Sequence, residues 1–145
     1  MSEKSIISHI GIAVADLQKS IAIYSTLLGN SPAHRESVAD QHVEVAIFAG
    51  LESNLKGMTH GRIELVAATS QQSPIARFIS TRGEGLHHIC MYCDDIEQKL
   101  AELKASGLRL IDETPRIGAE GKRIAFIHPA STGGVLIELE ERENK

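Results

Sequence analysis

The sequence lacks the features of several large protein classes. It contains no Trp, and aromatic residues make up only 3% of it, which argues against a nucleic-acid surface built on stacked rings. The net charge of −4 and the pI near 6.0 provide no basic surface for nucleic acid or an anionic membrane. No apolar run approaches the roughly 20 residues of a membrane span, and residues 1–4 lack a signal-peptide pattern. We therefore expect a cytoplasmic protein with no nucleic-acid partner and no membrane partner.

Cysteine is also scarce, since Cys90 and Cys93 are the only two. Their C-x-x-C spacing occurs in redox pairs and in half of some zinc sites. The chain has no second cysteine pair, and residues 86–93 have the pattern of a strand, in which residues three apart point to opposite faces. The sequence therefore favours two separate thiols over a redox pair or a zinc site.

The remaining composition is that of a globular chain. Of its 145 residues, 42% are hydrophobic and 23% are charged, and this length predicts a single domain over residues 1–145. Histidine is the residue type in excess, with seven copies. We therefore look for the chemistry of the protein among its histidines.

The chain contains an internal repeat. One apolar run begins at residues 7–10 and another at 86–89, and their alignment pairs His9 with His88. Each run is followed at the same offset by an aspartate that can cap a helix, and each half closes with an apolar strand interrupted by a glutamate. The aspartates are Asp16 and Asp95, and the glutamates are Glu64 and Glu138.

The repeat predicts two modules, at about residues 5–67 and 84–141, each consisting of a strand, a helix and two or three further strands. A module of this size is too small for a robust core of its own, so the two modules are expected to share one. A short helix is predicted between them, opened by Ser73 with Pro74 in its first turn and ended near Gly83.

Each half places a histidine near the start of its first strand and a glutamate in its last strand. If these two strands are neighbours in the sheet, their side chains converge on one concave face. The two imidazoles and two carboxylates then suit a divalent first-row metal such as Co, Mn, Ni, Zn or Fe and leave positions open for a substrate. The predicted metal ligands are His9, Glu64, His88 and Glu138.

Other interpretations of these residues stay open at this point. A histidine in a strand is often a hydrogen-bonded structural residue, and two unrelated salt bridges would also satisfy the glutamates. Each glutamate, however, lies in an apolar Ile-Glu-Leu setting, where an unpaired carboxylate costs several kcal/mol. One metal ion satisfies both carboxylates, so we favour the metal site.

The other histidines are assigned different roles. Strand alternation predicts that His87 faces away from His88, so that only His88 is a ligand. His128 precedes Pro129 in a turn and is expected to be structural or to support a ligand. The histidines expected at the surface, in loops or at strand edges, are His34, His42 and His60.

Five segments, taken together, match a known pattern; they are residues 9–14, 73–78, 83–89, 110–115 and 128–139. In these segments the chain resembles the vicinal oxygen chelate superfamily and, within it, the methylmalonyl-CoA epimerases. The resemblance implies an α+β fold in which two βαβββ modules form one curved, partly open mixed sheet. It places the helices outside this sheet and a metal cleft inside it.

The same resemblance implies a function. It gives the metal ligands that the repeat also suggests, and as substrate a methylmalonyl thioester of coenzyme A that is epimerised at C2. Removal of the C2 proton leaves an enolate, whose charge a divalent cation (Co, Mn, Ni or Zn) stabilises as a Lewis acid. Epimerisation also needs proton transfer on both faces of C2, and Glu138 is one expected catalytic residue. A homodimer is implied as well.

Two positions depart from the pattern of the relatives. The ungapped match places Val45 where some relatives carry a glutamate base, and Glu44 lies one residue away. Glu44 is the candidate base on the condition that a bulge or register shift turns it inward. Relatives often carry Lys where this chain has Ala130, so Lys122 or Arg123 would have to contact the CoA phosphates.

Three alternative functions are compatible with this fold. A glyoxalase-type isomerase also moves a proton through an enolate. A ferrous dioxygenase needs more open positions than four protein ligands leave. A non-catalytic small-molecule-binding protein is expected to line its cleft with aromatic residues, and this chain has five aromatics in all.

Overall fold

The computed structural model describes residues 5–52 and 59–143. Within these ranges the chain forms three α-helices and ten strands: β1 (Ile7–Ala13), α1 (Leu17–Leu28), β2 (His34–Val38), β3 (Val43–Phe48), β4 (Leu51–Glu52), β5 (Thr59–His60), β6 (Arg62–Ala68), α2 (Pro74–Arg82), β7 (Gly85–Cys93), α3 (Ile96–Ala105), β8 (Arg116–Ile117), β9 (Arg123–Ile127) and β10 (Ile137–Glu141). None of these helices is long and apolar enough to cross a membrane.

Eight strands form one mixed sheet in the order β2-β3-β6-β1-β7-β10-β9-β8. In each half the first strand lies parallel to the last one, β1 beside β6 and β7 beside β10, and the two halves join through the antiparallel pair β1–β7. The sequence of elements outward from this central pair is therefore the same on both sides. The predicted fold, a curled and partly open mixed sheet made of two repeated units, is confirmed.

The two long helices cover the outer face of the sheet, as predicted. α1 packs through Leu17 and Ile21 on β3 and β6, and α3 packs through Ile96 and Leu100 on β9 and β10. The connecting helix α2 differs, because its Ile75 packs against residues of β3 and β6 that face the opposite, concave side. α2 therefore forms part of the wall of the cleft.

The helices begin at the residues that the sequence predicts. The carboxylates of Asp16 and Asp95 accept hydrogen bonds of 3.0 Å from backbone amides in the first turns of α1 and α3, which satisfies otherwise free helix donors. Ser73 caps α2 in the same way. Gly29 ends α1 at φ +74°, a left-handed conformation that glycine adopts without steric cost.

The central β1–β7 pair contains two irregularities. Its register shifts where β1 contributes the extra residue Ser8 and again where β7 contributes the extra residue His87. Each extra residue is a β-bulge, which interrupts the alternation of side chains along its strand. The bulges fall at equivalent positions in the two halves, one residue before His9 and one before His88.

Candidate metal centre

The four predicted ligands lie on the four central strands of the sheet. Each is at most 7% exposed, and all four project from the concave face. In the order of the strands they are Glu64 on β6, His9 on β1, His88 on β7 and Glu138 on β10. The structure thus brings together the residues that the repeat singles out, while their role as metal ligands stays a prediction.

The donor atoms of these side chains converge on one point. The Nε2 atoms of His9 and His88 are 3.2 Å apart, and Oε1 of Glu138 lies 3.3 and 3.1 Å from them. Oε1 of Glu64 lies 3.7 and 3.5 Å from the same two nitrogens. Donors bound to one cation at about 2.0–2.2 Å are separated by roughly 3.0–3.5 Å, so the spacing of His9, His88 and Glu138 fits a single first-row metal ion. Glu64 lies slightly farther out, at up to 3.7 Å.

A buried oxygen in this cluster has no hydrogen-bond partner. Oε1 of Glu138 is fully buried, and among the described residues nothing donates a well-directed hydrogen bond to it. Leaving such an atom unsatisfied costs free energy, and a bound cation would remove that cost. The donor set therefore fits a divalent ion in chemistry as well as in spacing.

The cluster moves the pKa values of its members in different directions. Burial raises the pKa of Glu64 and outweighs the effect of the two histidines. Burial also acts to raise the pKa of Glu138, but His88 and His9 outweigh it and lower that pKa. Burial acts to lower the pKa of His9, whereas Glu138 and Glu64 raise it overall. Glu138 is therefore the carboxylate held ionised in this cluster.

His9 is supported from behind by a buried ionic network. Its Nδ1 lies 3.0 Å from Oγ of Ser8, and the same Oγ donates to Glu140 at 3.2 Å and accepts from Arg62 at 2.6 Å. Arg62 also contacts the hydroxyl of Tyr92 at 3.4 Å. Sequence reasoning missed this network, although Glu140 lies two residues after Glu138 and so shares its face of β10.

His88 has a different support. Its Nδ1 lies 2.9 Å from Nδ1 of His87, and the His87 ring packs edge-on against Phe78 of α2 at 4.9 Å between centroids. Burial lowers the pKa of His87 to about 4. On the other side, a Cβ at Gly11 would overlap the His88 ring, so only glycine fits opposite it.

The expectation that His87 faces away from His88 was wrong. Both rings line the same cavity, which has a volume of about 400 Å³. The physical reason is the bulge at His87, which cancels the alternation on which the prediction depended.

The condition placed on Glu44 as a base is not met. β3 pairs with β2 and β6 without a register shift, so Val45 faces the cavity together with Val43 and Val66. Glu44 lies on the opposite face, which α1 covers. We therefore correct the prediction that Glu44 acts as the base.

The remaining histidines differ partly from the expectation of a surface position. His34 is half-buried and lies 2.7 Å from Glu36, and His60 is half-buried in β5. His42 lines the cavity, which the sequence did not suggest. Nδ1 of His128 accepts a hydrogen bond of 3.0 Å from the Ala130 amide, so this histidine is structural as expected.

A second cavity of about 650 Å³ adjoins the first, and both are lined by His87 and His88. The turn at His128 and two arginines of α2, Arg77 and Arg82, line this second cavity. The cations suggested from the sequence lie elsewhere: Lys122 pairs with Glu143 at 2.6 Å, and Arg123 pairs with Glu141 and Glu97.

Cys90 and Cys93 are both buried thiols. Sγ of Cys90 lies 3.7 Å from the carboxylate of Glu140, whereas Cys93 contacts the backbone oxygen of the same residue and packs in the core beside α3. Burial, aided by Glu138 and Glu140, raises the pKa of Cys90. Its Sγ also lies within 4.8 Å of donor atoms of His9 and Glu138, so Cys90 adjoins the cluster of four predicted ligands.

Comparison with known proteins places this geometry in context. A family model described as the Glyoxalase/Bleomycin resistance protein/Dioxygenase superfamily matches residues 8–126. The chain is 37% identical to the mitochondrial methylmalonyl-CoA epimerase of Dictyostelium discoideum, over 94% of this chain and 78% of that protein. It is 36% identical to the ethylmalonyl-CoA/methylmalonyl-CoA epimerase of Cereibacter sphaeroides, over 93% and 96% of the two chains.

The fold has close counterparts among solved structures. A methylmalonyl-CoA epimerase in complex with methylmalonyl-CoA and NH4+ matches with a TM-score of 0.90 and 31% sequence identity, over 97% of this chain and 96% of that chain.

Proposed function

We propose that this chain, which belongs to the glyoxalase/bleomycin resistance protein/dioxygenase superfamily, interconverts the (R) and (S) forms of methylmalonyl-CoA. Within that superfamily it belongs to the methylmalonyl-CoA epimerases. One observation carries the proposal. Four buried donors from both halves of the sheet converge beside a cavity that three of them line. Within the part of the chain that the structure describes, nothing donates a well-directed hydrogen bond to one of these donors, Oε1 of Glu138. Such a group binds a cation and faces a substrate at the same time.

The metal ligands in this proposal are His9, Glu64, His88 and Glu138. Their imidazole and carboxylate donors suit Co, Mn, Ni or Zn. When bound there, such an ion supplies Lewis acidity toward the oxygens of the substrate thioester and carboxylate.

The chain itself supplies proton transfer and shelter from water. The C2 proton is acidified by the neighbouring thioester carbonyl, and we assign its removal on one face of C2 to Glu138, whose carboxylate lines the cavity. A water molecule delivers a proton to the opposite face of C2, and the proton taken up by Glu138 then replaces the one that the water gave up. Val43, Val45 and Phe126 make the surrounding wall apolar, which strengthens electrostatic interactions within the cavity.

The two adjoining cavities accommodate the two ends of an acyl-CoA. The acyl end fits the smaller cavity above the four donors. The CoA portion extends along the second cavity, where Arg77 and Arg82 provide positive charge for phosphates. These α2 arginines replace Lys122 and Arg123 in our assignment.

The proposal is tested by hydrogen exchange at C2 of methylmalonyl-CoA in heavy water, with protein reconstituted with cobalt or manganese. We expect deuterium to enter C2 and the two epimers to interconvert. Absence of exchange with fully metal-loaded protein would refute the epimerase activity. The homodimer and the cytoplasmic location stay predictions, to be checked by sedimentation and by cell fractionation.

A further inference from the structure

The two β-bulges of the central strand pair have a common geometric result. In each half, the extra residue directly precedes the histidine of the cluster, and the bulge turns both side chains to the same side of the strand. As a result Ser8 contacts Nδ1 of His9 at 3.0 Å, and His87 contacts Nδ1 of His88 at 2.9 Å. Without the bulges, neither contact between adjacent residues of a strand would form.

In the first half, the hydrogen-bond partners fix which atom carries the proton. Arg62 only donates, so one lone pair of the Ser8 hydroxyl is used to accept from it. The carboxylate oxygen of Glu140 that pairs with Arg62 at 3.5 Å accepts the single hydroxyl proton of Ser8. Nδ1 of His9 must therefore be the donor in its contact with Ser8. This leaves Nε2 of His9 with a free lone pair facing the cluster.

In the second half, two identical atoms meet and one of them must donate. Nε2 of His88 points to Nε2 of His9 and to the carboxylates of Glu64 and Glu138. A lone pair on that Nε2 requires the proton of His88 to be on Nδ1, from which it is donated to Nδ1 of His87. His87 then carries its own proton on Nε2.

We propose that Ser8 and His87 are a pair of positioning residues, each held by a bulge so that it fixes the ring orientation and tautomer of the histidine that follows it. This inference rests on the proposed metal site and extends it from four residues to six. Metal-binding histidines generally donate their second N–H to a fixed acceptor, and loss of that acceptor typically weakens metal affinity about 10- to 100-fold. The two halves use the same device with different chemical groups.

The test replaces His87 by three residues that separate hydrogen bonding from packing. His87→Ala removes both, and His87→Phe keeps an aromatic ring beside Phe78 without an acceptor. His87→Ser places before His88 the same residue type that precedes His9 in the first half. Cobalt affinity is measured by titrating metal-free protein and following the visible absorption of bound Co²⁺. We expect His87→Ala and His87→Phe to weaken binding about 10- to 100-fold, and His87→Ser to stay within about threefold of the unchanged protein.

The matched control is Leu86→Ala, because Leu86 precedes His87 on the same strand and is 72% exposed; its cobalt affinity should not change. A complementary change, Ser8→Ala, should weaken binding about 10-fold. Unchanged cobalt affinity in His87→Phe, or a His87→Ser variant no better than His87→Ala, would overturn the positioning role.

A second readout reports on the proton itself. In zinc-loaded protein, ¹H–¹⁵N spectra should show a proton on Nδ1 of His88 that exchanges slowly with water, and His87→Phe should abolish that signal. A proton on Nε2 of His88 overturns the inference.

These outcomes are distinct from failure of the proposed function. If His88→Ala abolishes cobalt binding while His87→Phe does not affect it, the metal site stands and the positioning role falls. If the unchanged protein binds no cobalt, both fall together. If cobalt binds as expected but C2 exchange is absent, the positioning role stands and the epimerase proposal falls.

Discussion

The two halves of the sheet present the same ligand types but support them differently. Behind His9, Ser8 and Glu140 are almost completely buried, at 0% and 4% exposure, and Arg62 closes the network. Behind His88, the contact is the half-buried ring of His87, at the junction of the two cavities. Duplication therefore reproduced the ligands and the bulges, while the supporting groups diverged. The histidine of the first half is held by a buried ionic support, and the histidine of the second half is held by a ring that also lines the cavities.

The largest expected effect concerns the two carboxylates, which are formally equivalent in the two halves. Glu138→Ala should lower C2 exchange at least about 1000-fold, because it removes a ligand and the group that accepts the proton. Glu64→Gln is the matched change in the first half. Its amide oxygen still offers a ligand, so exchange should stay within about 10-fold of normal. Equal losses in the two variants would show that the carboxylates have equivalent roles.

The buried ionic support behind His9 in the first half should contribute measurably to the free energy of unfolding. Arg62→Ala leaves the carboxylate of Glu140 buried without its cation, and we expect the free energy of unfolding in urea to fall by about 3 kcal/mol. The control in the second half is Arg116→Ala, whose side chain is 46% exposed and 3.5 Å from Asp112. It should cost less than about 1 kcal/mol. Similar losses would contradict the contrast between a buried and an open half.

A third change tests the space around the two rings. Gly11→Ala should weaken cobalt affinity about 10- to 100-fold, because the added methyl group overlaps the His88 ring and displaces a ligand. Cys90 occupies the equivalent position in the second half, two residues after His88. Cys90→Ala removes atoms rather than adding them and should change the affinity less than about threefold. Isothermal titration with cobalt measures both.

The halves should also differ in their response to pH. The pKa of His87 is lowered to about 4 in the folded protein, below the ordinary histidine value near 6.5. As pH falls from about 6.5 toward 4, the unfolded chain binds a proton that the folded chain does not, so this histidine lowers stability in that window. In metal-free protein, His87→Phe should recover about 2 kcal/mol at pH 5 relative to pH 8. Urea unfolding at the two pH values provides the comparison, and an unchanged pH dependence counts against the buried neutral ring.

The smallest expected effect comes from a substitution on the face of β3 that points away from the cavity. Glu44→Gln alters the face that α1 covers, so C2 exchange and cobalt affinity should each change less than about twofold. Val45 faces the cavity, and Val45→Gln makes the same kind of amide on that side, where an unpaired polar group is costly. It should reduce exchange clearly. A large loss in Glu44→Gln would restore that residue as a candidate base.

Much of the fold could be predicted from the internal repeat and from local capping motifs in the sequence. The alignment of His9 with His88, and of Glu64 with Glu138, identified the cluster because duplication places equivalent residues at equivalent offsets. The caps at Asp16 and elsewhere follow from local backbone chemistry. These features depend on short-range signals or on symmetry, so they need no knowledge of the packing.

The supporting residues could not be predicted in this way. A bulge adds one extra residue to one strand of a pair, and no local sequence motif at Ser8 or His87 predicts it. The contact between Ser8 and Glu140 joins residues 132 positions apart, and it depends on the order of strands in the finished sheet. The position of Glu44 likewise depended on a register that only strand pairing determines.

The central place of β1 has a consequence for how the chain acquires its structure. The first strand of the described chain lies in the middle of the sheet and pairs with β6 and β7, and its Ser8 meets β10 near the far end of the chain. During synthesis, β1 emerges long before any of these partners, and its pairing requires closure of long loops, which slows folding. Until then its unpaired backbone N–H and C=O groups are available to other chains. The strand that carries the first ligand therefore stays available to other chains until its partners form, and the site is complete only after β10 has joined the sheet.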